Sequence, residues 1–246
     1  MINKNQIIIA GPCSISSKLE LENTIKNIYK KIDFFRCGIW KARTNQQDFK
    51  GVGKKGLSWL AEMEKKYQTP VAIEVGTPKH VEEALSQNLK VFWIGARTTV
   101  NSFYVQEICE SIKGSKVEIW IKNPIHPDIN VWVGAIERFK KIGIAKIKLI
   151  HRGFFCLEEK KYRNRPNWNL IKLIKNLFPE LDVICDPSHI GGDKKLLYSI
   201  SKKAISLGLN GLMIETHSSP SNALSDAKQQ VNCEEFENLI QRLNLK

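Results

Sequence analysis

Four residues far apart in the chain, Cys13, His189, Glu215 and Asp226, are of the types that bind a divalent first-row transition metal. A thiolate, an imidazole and two carboxylates make a mixed donor set for one Mn²⁺, Fe²⁺, Co²⁺ or Zn²⁺ ion, whereas Ca²⁺ and Mg²⁺ favour oxygen alone. Taken singly, each has an ordinary alternative: Cys13 as a small core residue, His189 as a capping or hydrogen-bonded histidine, Glu215 as a charge at a strand end. A second set is cationic and comprises Lys41, Arg43, Arg97, Lys122 and Arg152. Focused on one place, these would need an anionic partner, because the guanidinium fork suits phosphate and carboxylate. Arg36 joins them only if strand register turns it the same way, since successive strand residues face opposite sides.

Something must bring these residues together, and the hydrophobic pattern supplies it. Short apolar runs rich in β-branched residues alternate with longer segments of helical period from end to end. Eight strands are expected, at Gln6 to Ala10, Phe34 to Trp40, Val71 to Val75, Val91 to Ile94, Val117 to Ile121, Lys146 to Ile150, Asp182 to Cys185 and Gly211 to Glu215. Helical segments follow them. Lys18 to Lys31 repeats Leu19, Leu21, Ile25, Ile28 and Ile32 at near-helical spacing, and Pro78 suits the first turn of a helix at His80 to Gln87. Later helices are expected from about Asn101, Asn130, Asn167, Asp193 and Ala223.

Eight βα units in 246 residues close most naturally into a single-domain TIM (β/α)₈ barrel over residues 1–246, with a doubly wound open sheet as the alternative. In such a barrel the chemistry collects beyond the C-terminal strand ends. There the chain reads Gly11-Pro12-Cys13-Ser14, Lys41-Ala42-Arg43-Thr44, Gly95-Ala96-Arg97-Thr98, Lys122-Asn123-Pro124, His151-Arg152-Gly153, Asp186-Pro187-Ser188-His189 and Glu215-Thr216-His217. Both chemical sets would therefore converge on one mouth.

With 42% hydrophobic and 26% charged residues, the composition is that of a globular domain and excludes a disordered or collagenous chain. The net charge of +13 invites a nucleic-acid reading, but the lysines are spread over several helices and no helix-turn-helix, zinc-finger or RNP pattern accompanies them. No nucleic-acid or membrane partner is expected. No apolar run approaches the length of a membrane span and the N-terminus lacks a signal-peptide core, so a cytoplasmic protein is expected. The six cysteines are scattered with no C-x-x-C pair and are expected to be reduced; an accessible Cys13 thiol would be sensitive to oxidation when metal is absent.

Those strand-end motifs, together with Leu224-Ser225-Asp226, resemble the family of 3-deoxy-D-arabino-heptulosonate 7-phosphate (DAHP) synthases, and they do so in order along nearly the whole chain. The resemblance implies condensation of phosphoenolpyruvate with erythrose 4-phosphate, releasing phosphate, as the first step of the shikimate pathway. It makes Cys13, His189, Glu215 and Asp226 the metal ligands. Arg36, Lys41, Arg97, Lys122 and Arg152 become the phosphoenolpyruvate contacts, with Lys41, Cys13 and His189 nearest the reacting centre. Arg43 and Thr44 become the clamp on the erythrose 4-phosphate phosphate. A homodimer or homotetramer is also implied.

The chain departs from the family pattern at Ala42, where proline is common; the change frees φ but keeps the neighbouring side chains. The run from Trp93 to Asn101 and Asn123-Pro124 are most similar to the branch in which the barrel is fused to a C-terminal chorismate mutase. Neither that domain nor an N-terminal regulatory domain is expected within the 246 residues, and a separate mutase chain is a candidate partner. The nearest alternative is 3-deoxy-D-manno-octulosonate 8-phosphate synthase acting on arabinose 5-phosphate, which Lys41-Ala42-Arg43-Thr44 disfavours. A noncatalytic anion-binding or nucleic-acid-binding protein would have no reason to assemble the four ligands. His217 is expected either to orient a ligand or to be a loop histidine, and Asp186 either to cap a helix or to contact the aldose or a ligand. His80 and His126 are taken as structural or surface residues.

Overall fold

The computed structural model describes residues 6–41 and 45–245. Eight parallel strands close into a barrel: β1 (Ile7–Gly11), β2 (Phe34–Cys37), β3 (Val71–Val75), β4 (Val91–Ile94), β5 (Glu118–Lys122), β6 (Lys146–His151), β7 (Asp182–Cys185) and β8 (Gly211–Glu215). Closure is made by β1 on β8, in register from Ile7 beside Gly211 to Gly11 beside Glu215. The expected (β/α)₈ barrel is the fold that forms. Among the described residues no helix is long and apolar enough to cross a membrane.

The outer ring comprises α1 (Lys18–Ile28), α2 (Lys55–Tyr67), α3 (Pro78–Ser86), the single turn α4 (Ala96–Thr99), α5 (Ser102–Ile112), α6 (Ile129–Lys141), α7 (Trp168–Leu177), the short α8 (Pro187–Gly191), α9 (Leu197–Ser206) and α10 (Cys233–Arg242). Most starts have a local cause: Ser17, Thr77, Asn101, Asp128 and Asp186 each accept a backbone N–H of the first turn, and Asn232 and Glu235 form a capping box. Apolar helix faces pack on the outward strand residues, such as Ile8, Phe35, Ile73, Leu149, Val183 and Leu212.

Inside the barrel the alternate residues form a separate apolar cluster of Ile9, Ala72, Val91, Trp93, Trp120, Ile150, Ile184 and Met213, joined by Ile7 and Phe34. A strand side chain repeats its facing every second residue. Two positions beyond these inward residues stand Arg36, Glu74, Lys122, Arg152, Asp186 and Glu215, so the polar residues form the tier directly above the apolar one. Register thus turns Arg36 inward, the point its place in the sequence left open.

Three expected bounds are corrected. Strand β2 ends at Cys37 rather than running to Trp40. At Gly38 the chain passes so close to its neighbours that a Cβ would lie 2.4 Å from the Cys13 carbonyl oxygen, and from there it leaves the sheet, placing Lys41 on a loop. The last helix begins at Cys233, not near Ala223. Before it the chain makes two 3₁₀ turns, Pro220–Asn222 and Ala227–Gln229, with Asp226 between them in a left-handed conformation that no α-helix admits. The helix expected from Asp193 likewise opens with a 3₁₀ turn, Lys194–Leu196, before α9.

Gly11 is indispensable to closure: its φ is +147°, and an added Cβ would lie 2.1 Å from the Arg36 carbonyl oxygen. Gly11→Ala is expected to destabilise the barrel by about 3 kcal/mol or more, from backbone strain and steric collision together. For a chain of this size that is a fall in Tm of roughly 6–12 °C, measurable by calorimetry. An unchanged Tm would contradict this account of the strand end.

Candidate functional site

Cys13 lies just past β1, fully buried, with its backbone N–H donated to Gln230 Oε1 at 2.9 Å. Its thiol donates to Asp226 Oδ2 at 3.0 Å and accepts from Lys41 Nζ at 3.0 Å. Glu215 ends β8 and is also fully buried; its backbone N–H is held by Ser188 Oγ at 2.9 Å. Ligand atoms of Cys13, Glu215 and Asp226 all lie within 4.8 Å of one another. His189 stands at the edge of this group, its Nε2 3.8 Å from Glu215 Oε1. Its Nδ1 is 2.8 Å from Asp186 Oδ2, and its backbone N–H is capped by Asp186 Oδ1 at 3.0 Å, so one carboxylate fixes both the ring and the start of α8.

These residues fit a transition-metal ion. One oxygen of the buried Glu215, Oε1, has no hydrogen-bond partner, although Arg36 Nη1 lies 3.2 Å away. The Arg36 ion pair offsets its charge without making a hydrogen bond, so the oxygen keeps a lone pair free to ligate, and the surrounding thiol, imidazole and second carboxylate are donors of the right softness.

Burial, reinforced by the Glu215 carboxylate, pushes the Cys13 thiol up to about 12, against the pull of Lys41. Burial also opposes ionisation of Glu215, yet His189 and Arg36 hold its carboxyl below the ordinary range. Asp226 is held low in the same way, by Arg163 and the Cys13 thiol. Burial lowers His189, which is neutral at pH 7 and able to offer a ring nitrogen. Sequence suggested an oxidation-sensitive Cys13, but a buried thiol that keeps its proton is a poor nucleophile, and that expectation is withdrawn.

Above this cluster opens a cavity of about 480 Å³ whose lining includes Lys41, Arg97, Lys122, Arg152, Arg163 and His189. Lys122 Nζ pairs with Asp186 Oδ2 at 3.1 Å, and both Lys122 and Arg36 lie over the Trp93 ring, at 5.7 and 5.0 Å from its centroid. Buried Asn123 positions the next strand end: it accepts the Arg152 N–H at 2.7 Å and donates to the Gly153 carbonyl at 2.8 Å. Arg152 Nη1 donates to Asn164 Oδ1 at 2.8 Å. Burial, with Arg163 and Arg97 close by, brings the Arg152 guanidinium down to about 10 against the pull of Asp186. Cations crowded this closely in a recess are relieved by an anion.

The structure thus brings Cys13, Arg36, Lys41, Arg97, Lys122, Arg152, His189, Glu215 and Asp226 to one mouth, while Arg43 and Thr44 lie outside the described residues. His217 turns away from Glu215 and hydrogen-bonds Glu20 Oε1 of α1 at 2.7 Å, which makes it an anchor between β8 and the helix layer. His80 stacks on Trp40 at 4.1 Å and His126 meets Phe155 edge-on. Sequence reasoning passed over Glu74, Arg163, Asn164 and Gln229. Glu74 was recoverable from period two, standing two residues beyond Ala72 on β3; Arg163 and Asn164 lie on an irregular loop and Gln229 in a single 3₁₀ turn, with no period to betray them.

Comparison with known proteins agrees with this arrangement. The family model described as DAHP synthetase I family matches residues 2–244. The chain is 32% identical over 241 residues to phospho-2-dehydro-3-deoxyheptonate aldolase of Thermotoga maritima, covering 96% of this chain and 68% of that protein. It is 26% identical over 265 residues to 2-dehydro-3-deoxyphosphooctonate aldolase of Stenotrophomonas maltophilia, covering 96% and 89%. The crystal structure of the Thermotoga maritima DAHP synthase superposes with a TM-score of 0.86 at 29% identity, over 98% of this chain and 69% of that one. A truncated form of the Thermotoga maritima synthase gives 0.83 at 27% identity, over 98% and 86%. With barrel, strand-end motifs and matches agreeing along the whole described length, the chain belongs to the DAHP synthetase I family of enzymes.

Proposed function

We propose that this enzyme condenses phosphoenolpyruvate with erythrose 4-phosphate to give DAHP and inorganic phosphate, and that it needs one divalent transition metal to do so. The observation that carries this reading is the meeting of Cys13, Glu215 and Asp226 within 4.8 Å, with His189 beside them, beneath a cavity lined by cations. Those four residues would hold the ion, which when bound supplies Lewis acidity to the aldehyde oxygen of the aldose phosphate. Arg97, Lys122 and Arg152 are assigned the phosphate and carboxylate of phosphoenolpyruvate, with Arg36 beneath them. Arg43 and Thr44 are assigned the aldose phosphate on their motif.

Lys41 is the proton source in this reading. Burial alone would lower its pKa, but Cys13 and Glu74 outweigh it and raise the value, so the ammonium persists at neutral pH. The electron pair of the enol forms a bond from C3 of phosphoenolpyruvate to the aldehyde carbon, and the aldehyde oxygen takes a proton from Lys41. Water then adds at C2 and gives one proton to the Lys41 amine, restoring the ammonium, and cleavage of the C2–O bond to the phosphoryl group releases phosphate, which carries off the proton of the new C2 hydroxyl and leaves the ketone. Two anions fixed in one recess gain proximity and charge neutralisation together. Association into a dimer or tetramer, a separate chorismate mutase partner and a cytoplasmic setting belong to the same reading.

Phosphate release from phosphoenolpyruvate is the direct test, run with erythrose 4-phosphate or arabinose 5-phosphate, each with Mn²⁺ and with chelator. Metal-dependent turnover with erythrose 4-phosphate alone is the expected result. Turnover with arabinose 5-phosphate instead would transfer the reading to the octulosonate reaction named for the Stenotrophomonas relative.

Metal binding should also depend on pH with a defined sign. The Cys13 thiol, at about 12, must lose its proton to become a ligand, whereas His189 is already neutral and Glu215 and Asp226 already ionised. Loading therefore releases about one proton, and apparent affinity should rise about tenfold per pH unit between pH 6.5 and 8.5. Titration calorimetry in buffers of different ionisation enthalpy measures this; a pH-independent affinity would show that Cys13 does not ligate.

A further inference from the structure

We infer that Arg163 and Gln229 form a positioning relay that sets the two carboxylates of the metal site, Glu215 and Asp226, a role that rests on the metal-dependent reading above. Arg163 Nη1 donates to Asp226 Oδ1 at 2.8 Å and to Gln229 Oε1 at 2.6 Å. Gln229 is buried and passes the constraint on, its Nε2 donating to Glu215 Oε2 at 2.6 Å. A guanidinium can only donate and a carboxylate can only accept, so the Gln229 amide has one allowed orientation and the chain of bonds one direction. The amide is a rigid coupler between the two.

The division of oxygens gives the relay its purpose. On Glu215, Oε2 is tied to Gln229 while Oε1 is left without a hydrogen bond. On Asp226, Oδ1 is tied to Arg163 while Oδ2 faces the Cys13 thiol. Each carboxylate thus has one oxygen anchored outside the cluster and one turned into it, the arrangement that outer hydrogen bonds impose on metal ligands. Asp226 needs such restraint, because its backbone is held in the left-handed region at φ +51°.

Arg163 is itself anchored to the turn that carries His189. Its backbone N–H donates to the Gly191 carbonyl at 3.3 Å, and Gly192, at φ +68°, lies so close that an added Cβ would be 2.6 Å from the Arg163 Cβ. One residue therefore links the loop after β6, through its backbone to the turn bearing His189 and through its side chain to the carboxylates at and beyond the end of β8.

The test is a Co²⁺ titration of the chelator-treated protein, read by calorimetry and by the visible thiolate-to-cobalt absorption that reports Cys13 as a ligand. Gln229→Met and Arg163→Met are each expected to bind Co²⁺ about 10- to 100-fold more weakly with an altered absorption band. The double variant should lose less than the product of the two, because both act through one chain of bonds. Arg163→Lys, on a side chain 44% exposed, should recover part of what Arg163→Met loses, and it decides the matter if Gln229→Met does not fold. Wild-type affinity and absorption in the variants would overturn the relay. So would a loss confined to phosphoenolpyruvate affinity with Co²⁺ binding intact, which would make Arg163 a substrate contact. Failure of the unmutated protein to take up Co²⁺ would remove the metal-dependent reading itself, and is seen before any variant is made.

Discussion

The pairing of the first strand with the last governs everything above it. Five successive residue pairs, from Ile7 and Gly211 to Gly11 and Glu215, bring the two ends of the chain side by side. The ladder then continues one step beyond the strands, the Thr216 N–H donating to the Gly11 carbonyl at 2.9 Å, and the Gln230 side chain takes over by accepting the Cys13 N–H at 2.9 Å. Cys13 and Asp226 are 213 positions apart in sequence yet 3.0 Å apart in space, and only ring closure makes them neighbours. Closure depends in turn on a glycine at position 11, where any side chain would strike the neighbouring strand. The metal-type cluster is thus a product of the longest-range contacts in the fold.

Above this seam, charge is arranged in compensating pairs. Arg36 with Glu215, Lys122 with Asp186, Arg163 with Asp226 and Lys41 with the Cys13 thiol place each cation against an acidic group or a potential anion. A buried charge without such company would cost several kcal/mol or titrate away. Around the recess above them, Lys41, Arg97, Lys122, Arg152 and Arg163 outnumber the acidic Asp48, Glu74 and Asp226. The same geometry that keeps the carboxylates ionised beneath leaves an attraction for anions above.

Much of this was legible in the chain and some was not, for physical reasons. Strands β3, β4, β7 and β8 were bounded to the residue, because their apolar runs stop abruptly at polar strand ends. Strand β2 was overextended because Ile39 and Trp40 continue the apolar run after Gly38 has already turned the chain. The segment from Ala223 was misread because helix-compatible residues there are overruled by the left-handed Asp226, a conformation without a sequence signature in a non-glycine residue. The motif residues of the site were visible because they sit at strand ends. Arg163 and Gln229 were not, because their roles exist only as bonds between loops. Asp186 shows the intermediate case: the cap was expected, whereas its simultaneous hold on Lys122 and the His189 ring required three elements to be seen at once.

Trp93 and Trp120, both fully buried, close the barrel beneath the polar tier, with Ile150, Ile184 and Met213 filling the space between them. This floor also acts on the charges above it: Arg36 and Lys122 rest their cationic groups over the Trp93 ring, 5.0 and 5.7 Å from its centroid, so the same indole that ends the apolar core meets two buried cations with the electron-rich face of its ring.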